Sequence, residues 1–241
     1  MKKIFKKPII GIVGRPDINK DEDLIISVGE NYRKAVIKKG GLPLLILPPQ
    51  DIKYEQFRPR DTVRLTDEEK KDLITMINMC DGIIMPGGHK WYQYDEFICN
   101  YAIDHNIPLL GICMGMQLMG KIDNIKSNLM GDTTFKNDTS LNHHQKEQQY
   151  VHKVNIDKDS FLGKIIRKDM IEVNSRHNYH IKSANLFKVV AYSEDGLIEA
   201  IELPSNNFAL GIQWHPEKMI EYDENADKIF EEFINKTKNQ E

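Results

Sequence analysis

The chain has no long apolar run, few cysteines and no excess of one charge, and each absence excludes a class of protein. Its apolar segments fall short of the about 18–20 residues that cross a bilayer, so no membrane partner is expected. The apolar run after the basic start MKKIFKKP is also too short for the core of a signal peptide. The net charge is -3 and the basic residues are scattered, which argues against a nucleic-acid partner. We therefore expect a cytoplasmic protein.

The three cysteines, Cys80, Cys99 and Cys113, do not have the spacing of metal ligands. An odd number without such a pattern favours reduced thiols over a disulfide framework. Hydrophobic residues make up 40% of the chain and charged residues 29%, which is typical of a globular protein. Because the sequence shows neither an internal repeat nor a linker, we expect a single domain over residues 1–241.

The first half of the chain alternates strand-like and helix-like segments. Apolar, β-branched segments predict strands over residues 8–14, 42–48, 81–86 and 107–112. Amphipathic segments predict helices over residues 27–41, 66–80 and 93–106. In the first helix, Tyr32, Val36 and Ile37 are predicted to share the buried face; in the second, Thr66 and Glu69 have capping-box spacing. The alternation predicts an α/β fold with a mostly parallel central sheet flanked by helices, and with ligand sites at the carboxyl ends of the strands.

The second half of the chain has a different pattern. Residues 131–150, and the earlier stretch 49–64, are polar and predict loops. Short strands are predicted in VHKVNI, IEVN, FKVVAYS, GLIEAIEL and FALGIQW, which should add antiparallel strands to the sheet. The tail DENADKIFEEFINKTKN predicts a closing amphipathic helix, with one apolar face formed by Ala226, Ile229, Phe230 and Phe233.

One cysteine lies where a predicted strand meets a predicted helix. The segment IPLLGICMGMQLMG places Cys113 between Gly111 and Gly115, the glycine-x-nucleophile-x-glycine spacing of a strand-to-helix elbow. A cysteine is nucleophilic only as the thiolate, which a helix N-terminus and a nearby base favour. A lone cysteine after a strand is more often a small buried core residue, and this interpretation is kept for Cys80 and Cys99.

The segment LGIQWHPE contains a candidate base. His215 follows a predicted strand, and Glu217 comes two residues later across Pro216, which restricts the backbone. A carboxylate in that position could orient the imidazole by accepting its second N–H. Attack on an amide carbonyl also needs N–H donors for the oxyanion, and the candidates are Met114, just after the cysteine, and Gly88 in the MPGG turn.

The motifs MPGG, GICMGMQ and GIQWHPE, in this order, resemble the class I glutamine amidotransferases, which have a flavodoxin-like fold. The segments PIIGIVGRP, YRKAVIKKGGLPLLILP, VNSRH and AYSEDGLIEAIE resemble more narrowly the γ-glutamyl-γ-aminobutyrate hydrolase branch, the C26 peptidase family. The resemblance extends from about residue 8 to residue 217. The chain departs from the branch in the compact HKWYQYDEF, in GKIDN after the elbow helix and in the residues after VNSRH, all of which bear on substrate contacts.

The resemblance implies Cys113 as nucleophile, His215 as base and Glu217 as orienting acid. It also implies a set of residues near a bound γ-glutamyl group, namely Gly87, Gln117, Ser175, Arg176 and His177. The implied reaction forms a γ-glutamyl thioester, which water hydrolyses to glutamate after a free amine has left. This chemistry needs no metal and no organic cofactor.

Several residues also have a structural explanation. His143 and His144 suggest a metal site, but no carboxylate or cysteine lies at ligand spacing, so a polar loop without metal is favoured. Gln117 falls one helical turn after the nucleophile, where its side chain faces either the pocket or the helix surface. His177 either lines the site or shapes its loop, and the sequence leaves both open.

Three functions are compatible with the motifs. The leading one is a free-standing hydrolase of a γ-glutamyl amide in a small metabolite, with a nucleotide-linked phosphoramidate carrier as a variant. The second is a glutaminase subunit that passes ammonia to a synthetase partner. The third is a non-catalytic domain that binds a γ-glutamyl ligand, which the intact Cys113, His215 and Glu217 argue against. The oligomeric state stays open, with a homodimer as one option.

Overall fold

The computed structural model describes residues 7–50, 52, 64–129, 131–205 and 207–238. These residues form fifteen strands: β1 (Ile9–Val13), β2 (Arg15–Ile18), β3 (Leu24–Ser27), β4 (Leu42–Ile46), β5 (Gly82–Met85), β6 (Leu109–Ile112), β7 (Thr134–Lys136), β8 (His144–Gln145), β9 (His152–Ile156), β10 (Met170–Val173), β11 (Ser175–Arg176), β12 (Tyr179–Ile181), β13 (Lys188–Ser193), β14 (Ile198–Glu202) and β15 (Ala209–Ile212). They also form six α-helices: α1 (Glu30–Lys38), α2 (Asp67–Ile77), α3 (Gln93–Asp104), α4 (Met114–Lys126), α5 (Phe161–Ile166) and α6 (Glu224–Thr237).

Nine of these strands form the central sheet, in the order β10-β9-β13-β14-β15-β6-β5-β1-β4. The strands from β15 to β4 pair in parallel, and the strands from β10 to β15 pair antiparallel. This confirms the prediction of a sheet that is parallel in the part formed mainly by the first half of the chain and gains antiparallel strands from the second half; the sheet as a whole is mixed. Since β1, β5, β6 and β15 run the same way, their carboxyl ends lie along one edge of the sheet.

Helices cover both faces of the sheet. One layer, from α1, α5 and α6, packs on side chains such as Ile84 and Leu110. The other layer, from α2, α3 and α4, packs on Ile83 and Leu109, each of which directly precedes one of those two residues in the chain. Successive strand residues point to opposite faces of a sheet. A strand buried on both faces is apolar throughout, which is why these strands are continuous apolar runs in the sequence. None of the described helices combines the length and the hydropathy that a membrane crossing requires.

Two predicted signals for helix ends are confirmed. Thr66 and Glu69 form a capping box at the start of α2, where the Thr66 hydroxyl accepts the Glu69 N–H and the Glu69 carboxylate accepts the Thr66 N–H. The Gly-Gly stop follows α1, and there Gly40 has a φ of 85°, a conformation that side chains disfavour. Both signals operate within a few residues, so a local sequence pattern suffices to predict them.

The buried faces of the helices agree with the predicted periodicity, with one exception. The tail helix α6 buries all four predicted residues, Ala226, Ile229, Phe230 and Phe233. In α1, Tyr32 and Val36 are buried, but Ile37 is 47% exposed, so its assignment to that face is wrong. At about 100° per residue, Ile37 points about 140° away from Tyr32, and Ala35 takes its place in the core.

The interpretation of residues 131–150 as a polar loop is wrong at two short stretches. β7 and β8 lie within it and pair antiparallel with β12 and β11. Strands of two or three residues have no recognisable periodicity, and these find their partners far along the chain. The β2–β3 hairpin and α5 were likewise not predicted. Most of the predicted loop 49–64 lies outside the described residues.

Candidate active site

Cys113 lies between the end of β6 and the first residue of α4. Its φ of 53° and ψ of -106° belong to a region that residues with side chains rarely adopt. Strained backbone of this kind occurs where the surrounding structure enforces it, often at functional sites. The structure therefore holds the thiol at the strand-to-helix turn that the sequence predicts.

The glycines on either side of Cys113 are required by packing. A Cβ on Gly115 would lie 2.1 Å from the carbonyl oxygen of Met85, at the end of the neighbouring strand β5. A Cβ on Gly111 would lie 2.4 Å from the sulfur of Met119 in α4. Neither position has room for a side chain, so the elbow packs directly against backbone and helix. This contact explains the glycine spacing in the motif.

His215 reaches Cys113 because β15 runs parallel beside β6 and both end at the same edge. Its Nδ1 lies 2.8 Å from Oε1 of the buried Glu217, and the ring borders the same cleft as the Cys113 side chain. Asn174 holds the backbone of His215 from both sides, donating to its carbonyl and accepting its N–H, each at 2.8 Å. Sequence reasoning missed Asn174, although it lies in the VNSRH segment.

The charges around His215 favour its protonated form. Burial lowers the pKa of His215, but the negative charges of Glu217 and then Cys113 outweigh it and raise the pKa to about 10. An imidazolium in this position brings a positive charge and a proton donor to the cleft beside Cys113. By contrast, burial raises the pKa of the Cys80 thiol to about 11 and raises that of Cys99 as well. These two free, buried cysteines therefore fit the interpretation as core residues.

The turn after β5 lies against Cys113 and His215. A Cβ on Gly87 would be 2.8 Å from His215 Cε1 and 3.4 Å from Cys113 Cβ, so only a glycine allows this approach. The Gly87 N–H donates to the hydroxyl of the buried Tyr32 at 2.9 Å. That bond orients the turn and leaves the next N–H, of Gly88, as the oxyanion candidate.

Gly88 and Met114, the two residues predicted to supply the oxyanion donors, contact each other through the Met114 side chain: a Cβ on Gly88 would be 3.1 Å from Met114 Cε. The Met114 N–H is in the first turn of α4, where helical N–H groups have no partner within the helix. Arg15 supports the turn, because it donates to the carbonyl of Pro86 at 3.0 Å and pairs with the buried carboxylate of Asp95. Sequence reasoning missed this ion pair, although Arg15 directly follows the predicted strand over residues 8–14.

Cys113 and His215 open onto a cleft of about 1110 Å³, which also involves the predicted contacts Gln117 and Arg176. The Gln117 side chain donates to the carbonyl of Tyr179 at 2.7 Å and to the side-chain oxygen of Gln213 at 3.1 Å. It therefore faces inward, joining α4 to β12, and does not lie on the helix surface. Arg176 donates to a backbone carbonyl, that of Lys146, at 2.6 Å.

Two other predicted contacts have polar partners that do not line the cleft. Ser175 is fully buried, and its hydroxyl lies 3.3 Å from His143 Nδ1. His177 borders the cleft, but its ring nitrogen Nε2 lies 3.5 Å from Oε1 of the buried Glu199. These positions favour the second of the two interpretations of His177, a residue that shapes the loop.

The cleft is positively charged although the chain carries a net charge of -3. Its described lining includes four cationic side chains, Lys90, Lys121, Lys146 and Arg176. Only one carboxylate, that of Asp132, is among the same described residues. Lys121 also pairs with Glu96, so part of this charge is neutralised outside the lining. The remaining excess favours anionic ligands.

The sequence model of the peptidase C26 family matches residues 92–217, which include Cys113, His215 and Glu217. This chain belongs to the peptidase C26 family. A glutamine amidotransferase-like protein of Rickettsia prowazekii, RP404, is 28% identical and aligns with 88% of this chain and 92% of its own length. The gamma-glutamyl-gamma-aminobutyrate hydrolase PuuD of Escherichia coli is 27% identical, over 90% of this chain and 88% of its own.

Solved structures agree with this C26 assignment at the level of the fold. The glutaminase domain of Trypanosoma brucei CTPS, with bound acivicin, superimposes with a TM-score of 0.64 at 18% identity. The superposition covers 98% of this chain and 95% of that domain. The chain thus has the class I glutamine amidotransferase fold, and its family and relatives support a hydrolase. They leave the bond and the substrate open.

Proposed function

We propose that this C26 family member hydrolyses a γ-glutamyl amide through a γ-glutamyl thioester on Cys113. The proposal is carried by one observation: the strained elbow places Cys113 beside His215, against the same turn and the same cleft, and His215 Nδ1 lies 2.8 Å from Oε1 of Glu217. This arrangement is what nucleophilic catalysis at a carbonyl requires: a nucleophile, a base and a group that orients the base.

In the first step, the Cys113 thiolate attacks the γ-carbonyl carbon of the substrate. The N–H groups of Gly88 and Met114 stabilise the negative charge that forms on the oxygen. The carbon–nitrogen bond then breaks, and the His215 imidazolium gives its proton to the departing amine. The product of this step is a γ-glutamyl thioester.

In the second step, water attacks the thioester carbon and His215 accepts its proton. The carbon–sulfur bond breaks, glutamate leaves and the thiolate of Cys113 is restored beside the His215 imidazolium. No metal or organic cofactor takes part in either step. Gly87 and Gln117, which border the thiol and the cleft, are the proposed contacts to the γ-glutamyl group.

The cleft favours an anionic leaving group larger than ammonia. Its volume of about 1110 Å³ exceeds what free glutamine fills and lies slightly above the about 300–1,000 Å³ of small-molecule pockets. The excess of cationic side chains would attract a carboxylate or a phosphate on the amine part of the substrate. Arg176 and Lys146, on the cleft wall formed by the second half of the chain, are the proposed contacts.

The test is glutamate release from a panel of purified γ-glutamyl amides. The panel includes free glutamine, γ-glutamyl-γ-aminobutyrate and the γ-glutamyl amide of phosphoethanolamine. We expect release from the anionic amides and little from glutamine, and we expect Cys113→Ala to abolish it. Cys80→Ala is the matched control, because it removes a buried thiol that is not at the elbow.

Two further measurements make the assay decisive. Mass spectrometry of protein quenched with acid should show a γ-glutamyl adduct on wild-type protein and none on Cys113→Ala. The Arg176→Gln variant should raise KM for the phosphorylated amide more than for glutamine. Release that persists in Cys113→Ala would refute the thioester mechanism, and equal use of neutral and anionic amides would refute the proposed leaving group.

A second candidate is a glutaminase that supplies ammonia to a partner. The likeness to a glutaminase domain supports it, since that domain shares the fold over nearly its whole length. In this case free glutamine would be the preferred amide, and glutamate release would rise when a synthetase partner is added. The same panel therefore separates the two candidates.

A further inference from the structure

Four buried side chains converge at a place outside the proposed catalytic centre. They are His143, His152, His177 and Glu199. Each of these side chains is at most 1% exposed, and their candidate ligand atoms all lie within 4.8 Å of one another. Three imidazoles and one carboxylate form a donor set that suits a divalent metal ion.

The distances between the Glu199 oxygen and the three histidine nitrogens are those expected of ligand atoms around one metal ion. Oε1 of Glu199 lies 3.7 Å from Nδ1 of His143, 3.5 Å from Nε2 of His152 and 3.5 Å from Nε2 of His177. Hydrogen bonds are shorter, as the 2.8 Å between His215 and Glu217 shows in the same protein. Two ligands of one tetrahedral zinc ion, each bonded at about 2.0–2.1 Å, are about 3.3 Å apart.

All but one of the inward-facing atoms lack hydrogen-bond partners; the exception is Nδ1 of His143, which lies 3.3 Å from the Ser175 hydroxyl. Within the described residues, Nε2 of His152, Nε2 of His177 and both carboxylate oxygens of Glu199 are buried without one. A buried carboxylate without hydrogen bonds is strongly destabilising unless a cation or a proton compensates it. A single cation at the centre would satisfy all three side chains.

In each histidine ring, the nitrogen that points away from Glu199 has a hydrogen-bond partner. This leaves the nitrogen that faces Glu199 available to coordinate an ion. Nδ1 of His152 lies 3.2 Å from the carbonyl of Lys153, and Nδ1 of His177 lies 3.1 Å from the carbonyl of Tyr179. A carbonyl only accepts, so the shortest contact of each ring is satisfied when Nδ1 carries the proton, which leaves Nε2 with a lone pair directed inward. The Asn137 amide nitrogen, 3.4 Å from Nδ1 of His177, makes its shorter bond, of 3.1 Å, to the His177 carbonyl. Such bonds from ligand histidines to outer acceptors are characteristic of metal sites.

The third histidine follows the same pattern with the nitrogens reversed. Nε2 of His143 lies 2.9 Å from Oδ2 of Asp195, and its Nδ1 is the atom that faces Glu199. A carboxylate behind a ligand imidazole fixes the ring and increases the basicity of the ligand nitrogen. Three imidazoles thus point unprotonated nitrogens at one carboxylate.

We propose that His143, His152, His177 and Glu199 bind a zinc ion. Zinc accepts nitrogen and oxygen ligands in a tetrahedron, and four protein ligands in a buried position form a closed site. Such an ion has no open position for substrate, so its role is structural. It does not enter the hydrolytic steps proposed above.

The ion would join the short strands around the cleft to the central sheet. His152 and Glu199 belong to β9 and β14 of that sheet, whereas His143 precedes β8 and His177 follows β11. The segment that ends at His177 begins with Asn174, which holds the backbone of His215. Zinc binding would therefore stabilise both the cleft wall and the support of His215.

The first test is the metal content of the full chain, purified without a polyhistidine tag. Inductively coupled plasma mass spectrometry should find about one zinc ion per chain. X-ray absorption at the zinc edge should show nitrogen or oxygen neighbours at about 2.0–2.1 Å and the outer-shell pattern of imidazole. His152→Gln and Glu199→Gln should each lower the bound zinc at least about 10-fold. His105→Gln, which changes a histidine at the end of α3, should not.

A second measurement uses the wild-type chain and so does not depend on whether the variants fold. A zinc chelator should lower the melting temperature of the wild-type chain, and added zinc, but not magnesium, should restore it. The inference is overturned if folded wild-type protein has less than about 0.1 equivalent of zinc both as purified and after incubation with zinc. It is also overturned if His152→Gln and Glu199→Gln retain the ion. Neither result depends on enzymatic activity.

Discussion

Replacing Glu217 by glutamine tests the electrostatic role of this residue with little change of shape. Glutamine keeps an oxygen where Oε1 now lies 2.8 Å from His215 Nδ1, but it removes the negative charge. Burial lowers the pKa of His215, and Glu217 is the largest of the influences that raise it to about 10. Without that charge, the pKa of His215 should fall.

The size of the effect follows from the separation of the charges. Unit charges about 4 Å apart interact by about 4 kcal/mol at an effective dielectric constant of 20, which corresponds to about 3 pKa units. The pKa of His215 in Glu217→Gln would then be about 7 instead of about 10. The proposed mechanism needs the imidazolium, so activity is lost as the pH rises through this pKa. The variant should lose activity as the pH rises above about 7, and its kcat/KM should be about 100-fold below the wild-type value at about two pH units above that pKa.

The assay is glutamate release, with kcat/KM measured from about pH 5 to about pH 11 for both proteins. The alkaline limb should lie near pH 10 in the wild-type chain and move by more than about 2 units in Glu217→Gln. An alkaline limb that stays in place would refute the argument that the charge of Glu217 keeps His215 protonated. Cys80→Ala should leave the profile unchanged.

The same pKa has a consequence for stability that does not require a substrate. A histidine whose pKa is raised by folding stabilises the protein fully below its unfolded pKa of about 6.5, and this contribution is lost as pH rises toward about 10. The difference in unfolding free energy between wild-type protein and Glu217→Gln should therefore be larger at about pH 6 than at about pH 10. Urea unfolding at the two pH values measures it.

Two other positions give predictions from packing and charge. Gly115→Ala would place a Cβ 2.1 Å from the carbonyl oxygen of Met85 and should cost at least about 3 kcal/mol of unfolding free energy in urea. Gly29→Ala, whose Cβ meets the Tyr32 ring at 3.3 Å, is the control and should cost less than about 1 kcal/mol; equal losses would contradict the packing argument. Arg15→Met leaves the buried carboxylate of Asp95 without its cation and should cost about 3–5 kcal/mol. Adding Asp95→Asn should recover part of that loss, and no recovery in the double variant would count against the ion pair.

Much of the fold and the proposed nucleophile could be predicted because their signals are local. The capping box of α2 and the Gly-Gly stop after α1 each involve residues a few positions apart. The elbow around Cys113 and the pair His215 and Glu217 are likewise contained in seven or fewer consecutive residues. In such short segments, backbone geometry alone brings the side chains into a defined relation.

The sequence by itself determined the alternation of strands and helices, the elbow cysteine and the histidine with its carboxylate. Only the tertiary structure decided which distant segments meet: Arg15 with Asp95, Asn174 with His215, and the three histidines around Glu199. The spacing around His143 shows no metal pattern because its neighbours come from β9, β14 and the residue after β11. Long-range strand pairing brings these side chains together, and a pairing between distant segments leaves no periodicity in either segment alone.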